Sequence, residues 1–153
     1  MSAELARSLG LDCDEFAPLR LLAECAYQWC FRGELDRAEA IFRALQRTAS
    51  NDPLPWLGQA EVLSARREFS AAAQSAAQAR RRKHIDASTM TFSYVLEADI
   101  WTCAGDLAQA GAALDKARQL DARHPGLLAV EHNLELLRKA QTQRNDAAGA
   151  PIS

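Results

Sequence analysis

Few side chains in this sequence could do chemistry, and most of them are scattered. Glu61 and Asp99 are two carboxylates that a helical reading turns toward one another across a groove, and paired acids can divide general acid and base roles. Ser64 and Cys103 are nucleophiles by type, but no histidine is placed to activate either. His124 and His132 come near each other only around the start of the last helix, and His84 is remote. Two imidazoles without a third ligand make a poor zinc site. The four cysteines, Cys13, Cys25, Cys30 and Cys103, contain no C-x-x-C pair. Cys25 and Cys30 fall on different sides of one helix, so the set reads as small reduced core residues. No glycine-rich phosphate loop, nucleophile elbow or metal triad is present. The chain is therefore read as a non-enzyme with no catalytic residues, no metal and no cofactor.

The strongest charge run is Arg80-Arg81-Arg82-Lys83-His84. No aromatic residue interleaves with it, and it falls at a helix end, where cations complement the dipole. It reads as a solvated helix terminus. The net charge of −2 gives no long-range field for nucleic acid or an anionic membrane. No stretch of about 18 apolar residues could span a bilayer. The first sixteen residues carry Glu4, Arg7, Asp12, Asp14 and Glu15 and lack a signal-peptide core, which makes the cytoplasm the expected compartment.

The elements that position these groups come from composition and period. The 153 residues are 48% hydrophobic but only 7% aromatic, and alanine is abundant. Alanine is the best helix former and the smallest side chain that still packs, so the expectation is all-α with close helix crossings. Laying Leu22 over Trp56, a shift of 34, brings Ala26 onto Ala60, Trp29 onto Leu63, Leu35 onto Phe69, Ala38 onto Ala72, Phe42 onto Ala76 and Leu45 onto Ala79. A further shift of 38 gives Tyr94, Ala98, Trp101, Leu107, Ala110, Leu114 and Ala117. In each copy the first three positions share one helix face, a short turn follows, and a second amphipathic helix returns. A single hairpin cannot bury both faces, so the copies must stack. The expected map is a leading helix over 3–9 stopped by Gly10, hairpins over 18–48, 54–82 and 90–121, and a capping helix over 126–141. Leu127, Leu128, Leu134 and Leu137 form the cap's packing face. Residues 1–141 then make one domain, with a disordered tail over 142–153.

These positions resemble the tetratricopeptide-repeat family over residues 19–125. Trp56, Ala60, Ala72 and Ala79 match its pattern in the second copy, and Tyr94, Ala98, Trp101, Gly105, Ala110 and Ala117 match it in the third. The first copy keeps Ala26, Trp29, Gly33, Ala38 and Phe42 but has Leu22 and Leu45. The closing prolines, Pro53 and Pro125, lie three residues late. The resemblance implies a right-handed α-solenoid whose first helices line a concave groove. Tyr27, Phe31, Leu57, Glu61, Phe92, Val95 and Asp99 are the expected groove residues. Such a groove suits an extended apolar peptide with one basic side chain. Family members that grip carboxylate tails use lysine and asparagine there, and this chain has neither. The competing reading makes Phe31, Leu57 and Phe92 core, with the facing off by one position.

The order of features is similar to that of type III secretion chaperones for translocator proteins. Ile41-Phe42-Arg43-Ala44-Leu45, Trp56-Leu57-Gly58 and the stretch 97–110 with Cys103, Gly105, Asp106 and Leu107 carry this narrower resemblance. It implies a client protein held by an extended segment, with Tyr27, Leu57, Glu61, Phe92 and Val95 as contacts. It also implies a homodimer formed through the leading helix, where Leu5 and Leu9 offer the contact. The alternative function is a scaffold subunit of a secretion or pilus assembly complex.

Overall fold

The computed structural model describes residues 17–148, and within them the chain is all-helical. Helix α1 spans Ala17–Phe31, α2 Leu35–Thr48, α3 Leu54–Ala65, α4 Phe69–Ala79, α5 Ala87–Ala104, α6 Leu107–Leu120 and α7 Gly126–Ala148. The leading helix expected over 3–9, with Leu5 and Leu9, lies outside the described residues.

The three hairpin turns are built alike. The N–H groups of Gly33 and Glu34 donate back to Cys30 and Trp29; those of Arg67 and Glu68 to Ser64 and Leu63; those of Gly105 and Asp106 to Thr102 and Trp101. This is the Schellman closure, which needs a left-handed residue after the first helix. Gly33 and Gly105 supply it at φ +79° and +80°, while Arg67 adopts it at φ +65° despite its side chain. The following helices start close behind: the Asp106 side chain accepts from the Gln109 N–H at 3.0 Å. Before α5, Asp86 accepts from the Thr89 N–H at 2.6 Å.

Each helix packs on its neighbours in sequence, α1 on α2 through α6 on α7, with α1 also reaching α3 and α5 reaching α7. The core is accordingly a row of local clusters. Ala26, Ala38 and Phe42 take in Val62 from α3. Leu57, Ala60 and the α4 alanines take in Leu96 and Ile100 from α5. Val95, Ala98 and the α6 residues Ala110, Ala113, Leu114 and Ala117 take in Leu127, Val130 and Leu134 from α7. All nine alanines of the repeat register, Ala26, Ala38, Ala60, Ala72, Ala76, Ala79, Ala98, Ala110 and Ala117, are 0% exposed. At these crossings the backbones approach closely, and any larger side chain would hold them apart.

Four expectations need correcting. Residues 142–148 are not an unstructured tail but continue α7 to Ala148; no glycine or proline interrupts the helix formers there. Leu128 is 75% exposed, and Val130 takes its place on the cap's packing face. Leu127, Val130 and Leu134 stand at i, i+3 and i+7, a stripe that Leu128 does not share. The described cysteines are not core residues: Cys25 and Cys103 are exposed and Cys30 is half-buried, all with free thiols. Finally, the basic run is not simply solvated. The Arg80 guanidinium lies 4.1 Å over the Tyr94 ring and 2.7 Å from Glu97. That of Arg82 lies 4.8 Å over Trp56. Arg81, Lys83 and His84 are exposed.

Candidate functional site

A trough of about 940 Å³ runs across one side of the stack. Helix α1 contributes Cys30 and Phe31, α3 contributes Glu61, Ser64 and Ala65, and α5 contributes Phe92, Val95, Leu96, Asp99 and Cys103. Arg67 and Phe69 line it at the second hairpin turn, and Ala129 and Val130 of α7 close its far end. Glu61 and Ser64 share a face of α3 because they are three residues apart; on α5, Phe92, Val95, Leu96, Asp99 and Cys103 recur at three- and four-residue steps. The lining is mainly apolar, and Phe31 at its edge is 76% exposed.

Of the expected groove residues, Phe31, Glu61, Phe92, Val95 and Asp99 meet in this trough. Two do not belong to it. Leu57 is 0% exposed and sits in the buried cluster with Leu96 and Ile100. Tyr27 turns inward: its ring meets Phe42 edge-on at 5.0 Å, and its hydroxyl donates to the Leu54 carbonyl at 3.3 Å. Val95 keeps little surface and serves both trough and core. Sequence reasoning missed Arg67, Phe69, Leu96, Ala129 and Val130. The signal for the last two was the i, i+3 relation of Val130 to Leu127, which places that flank of α7 against the stack.

The trough's electrostatics are set by two acids. Burial pushes the Glu61 carboxyl up to about 7, and the nearby Asp99 charge adds to the shift. Burial also raises the Asp99 carboxyl. The Cys30 thiol is raised by burial and by Glu61. The Cys103 thiol is raised by burial and by Asp99, with Arg67 opposing. Both shifts favour the protonated thiol over the thiolate. Tyr27, beneath them, is raised as well, by burial first and by Glu61.

Among the described residues no group of three or more His, Cys, Asp or Glu could hold a metal ion. No described helix is long and apolar enough to cross a membrane. The described histidines are dispersed: His124 Nδ1 accepts from the Gly126 N–H at 3.2 Å, and His84 and His132 are exposed. In comparison with known proteins, no family model, curated protein or solved structure matches the chain.

Proposed function

We propose that this protein is a tetratricopeptide-like solenoid that holds an extended, largely apolar segment of a client polypeptide in the trough. The role is that of the type III secretion translocator chaperones its sequence resembles, acting in the cytoplasm and without enzymatic activity. The observation that carries the reading is the trough itself. It is an open, apolar recess flanked by a 76% exposed phenylalanine, Phe31. Aromatic surface left in water favours association and is the kind of surface that partners cover. The recess is lined by residues of three first helices, α1, α3 and α5, which suits an extended chain laid across them. The shared Schellman turns and the repeating alanines support the solenoid, because they give each hairpin the same internal geometry.

Co-expression pull-down with mass spectrometry tests the reading. Phe31→Arg and Phe92→Arg are expected to abolish capture of the client while leaving helicity unchanged. Capture of the same partner at undiminished yield by both variants overturns it. Leu57→Arg serves as the core control and is expected to unfold the second hairpin.

A further inference from the structure

Among the described residues, half-buried carboxylates are answered by donors, with two exceptions. Glu39 is met by Arg43 and Arg66, Glu97 by Arg80, and Glu131 by Arg118. Asp52 and Asp106 accept backbone N–H groups at helix starts. Glu61 and Asp99 have neither an ion pair nor a hydrogen bond among the described residues, and both face the trough. Arg67, the cation that lines the trough, lies 5.8 Å over the Phe69 ring and forms an ion pair with neither acid.

An acid in a partly dry recess without a donor is costly, and a cation placed beside it relieves that cost. The apolar walls around the pair exclude water from such a cation, so the attraction is stronger there than on an open surface. Two acids on adjacent first helices, α3 and α5, mark one place along the trough rather than a charged stripe.

We propose that the client segment carries one lysine or arginine between apolar side chains, and that its cation seats between the Glu61 and Asp99 carboxylates. This rests on the client-holding role proposed above. The other titratable or charged groups around the pair are Cys30 from α1, Arg67 after α3 and Cys103 from α5, all lining the trough, with Tyr27 of α1 turned inward but still within the influence of Glu61. Seating the cation ionises Glu61, whose proton passes to solvent, so binding near neutral pH releases protons.

A phage-displayed library of random dodecapeptides, panned on the full chain, tests this. The enriched peptides are expected to be apolar with a single Lys or Arg, and the basic preference is expected to vanish on the Glu61→Gln, Asp99→Asn double variant. In titration calorimetry, replacing that peptide lysine by norleucine should weaken binding to the wild type about tenfold or more. The same replacement should change binding to the double variant less than about threefold. Proton release should appear as a heat that depends on the buffer's ionisation enthalpy. Apolar peptides enriched without a basic residue, or a norleucine analogue that binds equally well, overturn the cation seat and leave the client-holding role standing. Peptides enriched equally on a Phe31→Arg, Phe92→Arg variant overturn both.

Discussion

The Phe42 ring fills the space that a side chain at Gly58 would need: a Cβ built there lies 2.2 Å from two atoms of the ring. Phe42 is itself fully buried and meets the Tyr27 ring edge-on. The first hairpin therefore locks onto the second through one aromatic and one missing side chain. Gly58→Ala is expected to destabilise the fold by about 2–3 kcal/mol, as overpacking does. Denaturant midpoints check this. Combining it with Phe42→Leu should recover part of the loss, because the smaller side chain vacates the clash.

Arg67 occupies a left-handed position that glycine holds in the other two turns. That conformation costs a non-glycine residue about 1 kcal/mol. Arg67→Gly is therefore expected to raise stability by about 0.5–1 kcal/mol, with the lost contact to Phe69 and the added unfolded-state entropy reducing the gain. Thermal unfolding monitored by circular dichroism reads the shift.

Arg80 and Arg81 are neighbours in sequence with different expected sensitivities. Arg80→Ala strips Glu97 of its cation and Tyr94 of its stacked guanidinium, and should cost about 2 kcal/mol. Arg81 is exposed, and Arg81→Ala should stay within about 0.5 kcal/mol. Equal sensitivity at both positions would mean that the run acts as an undifferentiated charged terminus.

Glu61 gives stability a pH dependence. Its carboxyl is raised from 4.5 to about 7 in the folded chain, so between these values the folded state holds a proton that the unfolded state has lost. Stability is then greatest below about pH 4.5 as far as this group is concerned, falls as pH rises to about 7, and levels off above. The contribution is about 1–2 kcal/mol after allowing for the side chain's partial exposure. Glu61→Gln should flatten that segment of the curve and stabilise the protein at pH 8. An unchanged slope contradicts the assignment.

The register of the hairpins was legible in the sequence because the fold writes it in alanine. Wherever Ala26, Ala60 or Ala98 recurs, helices cross, and no other residue type fits as well. The turns were legible through Gly33 and Gly105, and through Glu68 where glycine is absent. The rotation of α3 was not legible. Pro55, Leu57, Gly58, Gln59, Ala60 and Val62 are all buried, so the helix has no polar face to fix which side looks outward. Gln59, polar by type, is buried because its amide donates to Glu39 at 3.1 Å. The facing of Leu57 was therefore off, while Glu61 one turn later was placed in the trough. The share of α7 in the trough was hidden for another reason. Ala129 is too small, and Val130 too much like a core residue, to mark a binding wall.

Site-specific photocrosslinking tests the central claim most directly. Benzoylphenylalanine is placed at Phe92 in the trough or at exposed Gln119 on α6, and cells producing the protein are irradiated. A guest chain lying in the trough predicts a client adduct from position 92 and none from position 119. Adducts from 119 alone, or in equal yield from both positions, would contradict it.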